Sequence, residues 1–275
     1  MTINCKGELL DLSVPKVMGV LNLTPDSFYD GGKFKNEDEV LKQVEKSIHD
    51  GMDILDIGAY SSRPGADDIS ENEELKRQSL ILEQLKKEFP DLIISIDTFR
   101  SKVAKESLDR GAHIINDISA GKLDDKMLEL IAEYRVPYIM MHMRGTPQTM
   151  KQLTDYEDLV KEVVFYFSER IGEARSKGIN DLIIDPGFGF AKNITQNFEL
   201  LNHLKVLKNL DVPMLTGLSR KSMIYKTLSI DAKEALNGTT ALNMVALMNG
   251  SSILRVHDVL EAKQCVTLYQ KLKEN

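Results

Sequence analysis

Acids, amides and cations recur in this sequence at the ends of short apolar runs. Asn22 follows Val17–Leu21, Asp56 lies in Ile54–Ile57, and Asp97 follows Leu92–Ile96. Asn116 and Asp117 follow His113–Ile115, His142 follows Tyr138–Met141, and Asp185 follows Leu182–Ile184. Pro213–Thr216 leads into Ser219-Arg220-Lys221, and Ser252–Val256 carries Arg255 and runs into His257. One polar residue behind an apolar run is usually a turn former or a helix cap. Recurrence behind every run, with acids and amides first and cations last, points instead to a shared site. The late cations fit an anion: Ser219-Arg220-Lys221-Ser222 opens a short helix over Met223–Leu228, whose N-terminal amides add to the field. Arg255 and His257 alternate along a strand and so face one side. The plainer alternative is that Arg220 and Lys221 are solvated and that His257 caps the last helix.

Other motifs exclude chemistry. Asp185-Pro-Gly-Phe-Gly-Phe-Ala-Lys192 contains GxG but holds Lys192 where a dinucleotide fingerprint needs its third glycine. Its glycines suit a tight loop that lets Phe188 and Phe190 reach a flat ligand. The His, Asp and Glu residues have no HExxH-like spacing, so no dedicated zinc cage is expected. Cys5 and Cys265 are far apart and form no CxxC, which argues for free thiols in a reducing cytoplasm.

The elements that must position these residues alternate. The eight apolar runs lack polar alternation, as strands covered on both faces of a parallel sheet do. Between them lie amphipathic helices over Glu37–Asp50, Ser70 to Pro90, Ser101–Arg110, Asp124–Arg135, Tyr156–Lys177, Thr195–Lys208, Lys233–Asn249 and Asp258–Lys273. Asn36 caps the first, and Ser70 with Glu73 makes a capping box for the second. Eight strands alternating with eight helices in 275 residues predict a single α/β domain over 1–275, a (β/α)₈ TIM barrel. A doubly wound open sheet is the alternative. The long segments Thr24–Lys35 and Ser61–Ile69, after strands 1 and 2, are expected to be mobile loops on the rim where barrel active sites lie. Lys+Arg 35 against Asp+Glu 42 leaves a net charge of −7, which argues against a nucleic-acid partner. No apolar run approaches the ~18 residues that span a membrane, and the first residues lack the basic start and apolar run of a signal peptide.

With these residues in order, a family resemblance emerges. Met18-Gly-Val-Leu-Asn-Leu-Thr-Pro-Asp-Ser-Phe28, followed by Asp30-Gly-Gly32, resembles the opening signature of the dihydropteroate synthases. Asp56-Ile-Gly with Ser61-Ser-Arg-Pro-Gly65 resembles their second. Ile96-Asp-Thr98, Ile115-Asn-Asp117, Met141-His-Met143, Asp185-Pro-Gly-Phe-Gly-Phe190, Leu218-Ser-Arg-Lys221 and Arg255-Val-His257 follow in the family's order. The resemblance implies a barrel that condenses 6-hydroxymethyl-7,8-dihydropterin pyrophosphate with p-aminobenzoate, releasing pyrophosphate and 7,8-dihydropteroate, with Mg2+ assisting and sulfonamides competing with p-aminobenzoate.

It also implies roles. Asp185 accepts from the amidine-like edge of the pterin, Asp97 and Asn116 meet other ring heteroatoms, and Lys221 donates to the pterin carbonyl or a ring nitrogen. Asp97, Asp185 and Lys221 carry catalysis. Arg255 and His257 hold the pyrophosphate, Val256 between them is a substrate-binding residue, Asn22 is the magnesium ligand, Ser62 lies at the substrate rim, and Arg63, Pro64 and Phe190 lie near p-aminobenzoate. Leaving-group departure runs ahead of attack by an amine already neutral near pH 7, so no strong general base is required. The family is commonly dimeric, and the nearly all-apolar Thr239–Asn249 suits a homodimer interface. The chain departs from the family at Tyr60, where glutamate is frequent, at Arg144, where glutamine is common, and at Ala191, where glycine is common. The alternatives are a methyltetrahydrofolate methyltransferase-like barrel, which has no use for the Asn22 or Arg63-Pro64 loops, and a non-catalytic pterin binder.

Overall fold

The computed structural model describes residues 1–23, 29–30, 33–34, 37–60 and 69–274. The expected mobile loops at 24–35 and 61–69 therefore fall mostly outside the described residues.

Eight parallel strands form one sheet, each where an apolar run was read. They are β3 (Lys16–Asn22), β6 (Ile54–Gly58), β7 (Ile93–Asp97), β8 (Ile114–Asp117), β9 (Tyr138–Met141), β10 (Leu182–Asp185), β11 (Leu215–Thr216) and β12 (Ile253–Val256). Their order is β10-β9-β8-β7-β6-β3-β12-β11. A parallel bridge between Ile184 and Met214 joins β11 to β10 and closes the barrel, reinforced by the Ile184 N–H donating to the Pro213 carbonyl at 3.0 Å. The open-sheet alternative is thereby excluded. Helices α1 (Glu37–His49), α2 (Glu71–Glu88), α3 (Ser101–Asp109), α4 (Met127–Tyr134), α5 (Leu159–Ser176), α6 (Ile194–Asn202), α7 (Ser222–Leu228), α8 (Leu236–Met248) and α9 (Val259–Lys273) cover it. A two-residue ladder, β4 (Tyr29–Asp30) with β5 (Lys33–Phe34), follows β3.

Period-2 alternation sorts the strand residues into layers. Met18, Ile54, Ile114, Ile139, Ile183, Leu215 and Ile253 share one buried cluster inside the lower barrel. Their sequence neighbours Val17, Leu55, Ile115, Met140, Ile184 and Leu254 belong to the separate cluster between strands and helices. The lower mouth is stoppered by a hairpin the sequence reading did not anticipate, β1 (Thr2–Cys5) with β2 (Glu8–Asp11). Its Ile3 and Cys5, with Leu12 beyond it, join the inner cluster. The signal was present: Thr2–Cys5 alternates exposed and buried positions.

Four helices differ from expectation. The one read from Tyr156 starts at Leu159, capped by the Asp158 carboxylate, which accepts from the Lys161 N–H. The one read from Asp124 starts at Met127, because the Asp124 carboxylate instead accepts from the Ser101 and Lys126 N–H groups, at 2.6 and 3.0 Å. The one read over Thr195–Lys208 ends at Asn202 and continues as a 3₁₀ stretch, Leu204–Leu210, whose buried Leu204 and Leu207 recur every third residue. The one read from Lys233 starts at Leu236 after a 3₁₀ turn, Ala232–Glu234. Both cysteines are buried and free. Among the described residues no helix is long and apolar enough to cross a membrane.

Candidate active site

Two residues beyond the apolar inner layer, the same strand faces turn polar. Asp56, Asn116, Asp185 and Arg255 sit two positions after Ile54, Ile114, Ile183 and Ile253, and Asp97 stands two after the buried Ser95. Parity thus aims these side chains into the upper mouth. It aims Asp117 and His142 the other way, and this corrects the expectation that every strand-end polar group meets there. Asp117 is fully buried and accepts from the Ser119 N–H and Oγ, the Gly121 N–H and the Tyr138 hydroxyl. It organises the turn after β8. His142 packs edge-on against Tyr166, with ring centroids 4.8 Å apart.

The mouth is organised around Arg255. Its Nε donates to Asp56 Oδ2 at 2.7 Å and its Nη2 to Asp97 Oδ2 at 2.8 Å. Asn116 Nδ2 donates to the same Asp56 oxygen at 3.1 Å. Asp56 is wholly buried, and its Oδ1 has no partner among the described residues. The sequence reading placed Asp56 in a motif but gave it no role; its inward parity was the available signal. Burial pushes the Asp97 carboxyl up to about 7 against the pull of Arg255, with the Asp56 charge adding to the rise. Arg255 is raised above the ordinary guanidinium range: burial opposes its charge, but Asp56 and Asp97 outweigh that.

Asp185 faces this group from β10. It is 6% exposed, and its Oδ1 accepts from the Gly187 N–H at 2.8 Å. Burial raises its pKa, while Lys221 opposes the rise. Lys221 donates to the Phe188 carbonyl and lies 5.0 Å from the centroid of Phe190. Burial lowers it to about 8, with Asp185 acting to raise it. The loop carrying Phe188 and Phe190 depends on Gly187, at φ +69, where a Cβ would stand 2.1 Å from the His142 carbonyl oxygen. Lys192 closes the loop from behind. Its buried ammonium lies 2.9 Å from His142 Nδ1 and 3.1 Å from both the Gly187 and Phe190 carbonyls. Burial holds His142 well below its ordinary value, so the neutral ring can accept from Lys192.

The remaining expected residues divide. Asn22 ends β3 with its side chain near Asp97: a Cβ on Gly58 would be 3.8 Å from Asn22 Oδ1 and 3.6 Å from Asp97 Oδ2. His257 is exposed, and its Nδ1 lies 3.0 Å from Ser219 Oγ. Val256 is fully buried among the strand–helix contacts, so its side chain is turned away from the mouth. Arg220 is not solvated: it forms a two-pronged pair with Asp258 at 2.9 and 2.7 Å. Ser62, Arg63 and Pro64 lie outside the described residues. Of the departures, Arg144 pairs with Glu162 and stacks on Tyr156 at 3.7 Å, and Ala191 adopts φ 48, the left-handed region that favours glycine. Among the described residues no cluster of three His, Cys, Asp or Glu side chains could hold a metal. A single amide oxygen at Asn22 beside the carboxylates fits a hard cation that keeps its waters and takes other ligands from a phosphate.

This mouth can bind a flat ring with several donors and, beside it, an anion. The comparisons agree. The model of the family described as "Pterin binding enzyme" matches residues 18–257. Dihydropteroate synthase of Escherichia coli K12 is 42% identical over 280 aligned positions, covering 100% of this chain and 99% of the relative. The Yersinia pestis dihydropteroate synthase, solved with a sulfonamide drug, superposes with a TM-score of 0.94 at 39% identity over both whole chains. The Xanthomonas albilineans enzyme, solved with 7,8-dihydropteroate, does so with a TM-score of 0.88 at 35% identity. The shared barrel and a full-length match at this identity place the chain in the dihydropteroate synthase family of pterin-binding enzymes.

Proposed function

We infer that the chain is a transferase that condenses 6-hydroxymethyl-7,8-dihydropterin pyrophosphate with p-aminobenzoate, forming 7,8-dihydropteroate and pyrophosphate. The observation that carries the reading is Asp185, a buried carboxylate pinned by one backbone N–H with Lys221 set beside it. A carboxylate accepts two parallel bonds from an amidine-like edge as it does from arginine. Lys221 supplies the donor for the pterin carbonyl or a ring nitrogen, and Asn116 and Asp97 meet other ring heteroatoms.

The chemistry is electrostatic. The pterin methylene becomes cation-like as pyrophosphate leaves, and the Asp56, Asp97 and Asp185 carboxylates favour that charge. Arg255 and His257 neutralise the leaving group. The aniline nitrogen is neutral near pH 7, forms the new C–N bond as the C–O bond to pyrophosphate breaks, and gives its surplus proton to the departing pyrophosphate or to water, so no strong base is needed. Its acceptor pocket is formed by Phe190 with Ser62, Arg63 and Pro64. Mg2+, when bound with the substrate pyrophosphate, would be held by Asn22 and would add positive charge to the leaving group. The enzyme acts in the cytoplasm as a homodimer. Supporting the dimer, Val245 and Met248 on α8 and Leu260, Leu268 and Leu272 on α9 are exposed apolar side chains on neighbouring helices.

Mixing purified protein with the dihydropterin pyrophosphate, p-aminobenzoate and magnesium tests this reading. The expected result is pyrophosphate release that requires the amine. Release at the same rate without the amine would make the protein a hydrolase, and no release would leave it a binder.

A further inference from the structure

The loop after β10 is irregular, and one buried amine spans it. Gly187, Gly189 and Ala191 all have positive φ, at 69, 83 and 48. Backbone of this kind joins no ladder, so its polar groups need partners from elsewhere. The Phe190 N–H donates to the Gly187 carbonyl at 3.1 Å and closes a tight turn. Lys192 Nζ donates to the carbonyls at both ends of that turn, Gly187 and Phe190, each at 3.1 Å. Its third contact is His142 Nδ1 at 2.9 Å. An ammonium has three donors, and here each meets one acceptor.

His142 is itself a fixed point. Its N–H donates to the Asp185 carbonyl at 2.9 Å, and its ring stands edge-on to Tyr166. The loop lies against the end of β9, where a Cβ on Gly187 would meet the His142 carbonyl. Lys192 therefore ties the turn to the strand beside the one that bears Asp185. The tie reaches the mouth at both ends of the turn. The Gly187 N–H donates to Asp185 Oδ1 at 2.8 Å, and the Phe190 ring lies 5.0 Å from Lys221 Nζ. Burial lowers the Lys192 pKa to about 7, with Asp185 acting to raise it. Loss of that proton keeps all three contacts: the neutral amine donates to the two carbonyls and accepts from the other His142 tautomer.

We propose that Lys192 is a positioning residue for the pterin ring: by holding both ends of the Gly187–Phe190 turn against His142, it fixes Asp185 and Phe190 where the ring binds. The proposal rests on the reading that this mouth binds the pterin. The pyrophosphate contacts at Arg255 and His257 come from the end of β12 and do not pass through this loop.

Binding of the two halves of the substrate separates positioning from folding. Lys192→Met keeps the length of the side chain and removes its three contacts. Calorimetry on the full chain should show the bare hydroxymethyl dihydropterin weakened roughly tenfold or more and magnesium pyrophosphate weakened less than about twofold. His142→Phe, which keeps a ring but loses the nitrogen, should weaken the pterin in the same direction by a smaller factor. His142→Asn sets an amide, both acceptor and donor, near the former Nδ1 and should bind the pterin as the wild type does. If Lys192→Met does not fold, the two His142 variants carry the test, since neither alters the loop itself. Asp185→Asn is the control for the mouth. Loss of pterin affinity in both Asp185→Asn and Lys192→Met, with pyrophosphate retained, supports the proposal. Loss in Asp185→Asn alone overturns the role of Lys192 and leaves the mouth reading standing. No loss in Asp185→Asn overturns the mouth reading and the proposal with it. Equal losses of pterin and pyrophosphate in Lys192→Met make Lys192 merely structural and overturn the proposal, as does a His142→Asn that binds the pterin no better than His142→Phe.

Discussion

Arg255 has two tasks that a substitution can separate. It bonds the carboxylates of Asp56 and Asp97, and by the proposed mechanism it also meets pyrophosphate. Arg255→Ala leaves the buried Asp56 without its cation, a loss on the order of 3–5 kcal/mol for a broken buried pair, and the urea midpoint should fall. Affinity should fall more for the pterin pyrophosphate than for the bare hydroxymethyl pterin, by a charge-assisted contact of roughly 1.5–3 kcal/mol. Equal losses would make Arg255 only an organiser of the carboxylates. The same cluster sets a pH window. Asp97, raised to about 7, is the stronger acceptor and presents no O–H to the ring donors when ionised, so binding gains as pH rises through that value. Lys221, lowered to about 8, donates as a cation only below that value, so binding weakens above it. Affinity for the pterin, followed calorimetrically against pH, should be bell-shaped with its apparent limbs near those values. A flat profile from pH 6 to 9 would show that neither group changes protonation in the site.

The loop between β10 and α6 shows how an element carries the chemistry. Its glycine at 187 combines a positive φ with a 2.1 Å approach of a would-be Cβ to the His142 carbonyl. Gly187→Ala should cost more than the 1–2 kcal/mol of an ordinary left-handed residue, read as a lower unfolding midpoint. It should also weaken pterin binding, because the Gly187 N–H holds Asp185 and the following turn holds Phe188 and Phe190. An unchanged midpoint and affinity would mean the loop can rearrange freely. Much of this was legible in the sequence. The apolar runs gave the strands because buried parallel strands need no polar face, and Asp185-Pro-Gly-Phe-Gly-Phe190 marked a tight loop. Parity was the missed step. Counting by twos from Ile54, Ile114, Ile183 and Ile253 picks out Asp56 and rejects Asp117 and Val256, whereas proximity to a strand end does not. Lys192 received no role from the sequence for another reason: its contact is with His142, fifty residues earlier, and no local pattern encodes it. The helix starts at Met127 and Leu236 failed because polar side chains and 3₁₀ turns took the first backbone groups.

At the scale of the whole molecule, one barrel rim brings Asp56, Asp97, Asn116, Asp185, Lys221 and Arg255 together from strands far apart in sequence. In sequence, residues 24–28 follow β3 and residues 61–68 follow β6, two strands that end at this mouth, so ligands there are expected to influence one another. The residues proposed for the acceptor pocket lack an apolar pattern that would order them unaided. Ordering backbone costs on the order of 1–2 kcal/mol per residue, which a small acid offsets poorly. p-Aminobenzoate should therefore bind more tightly to enzyme saturated with magnesium and pyrophosphate than to free enzyme, and the coupling must be reciprocal. Calorimetry that finds equal affinities would show a preformed pocket. The central claim is that the Asp185 mouth binds the pterin whose methylene is transferred. Its most direct measurement is 7,8-dihydropteroate formation from both substrates by the wild type and by Asp185→Asn, checked for an unchanged fold by circular dichroism. The account predicts one dihydropteroate per pyrophosphate in the wild type and at least a roughly tenfold lower kcat/KM in the variant, since an amide donor would then face a ring donor, at about 1–3 kcal/mol. Turnover by Asp185→Asn equal to that of the wild type would contradict it.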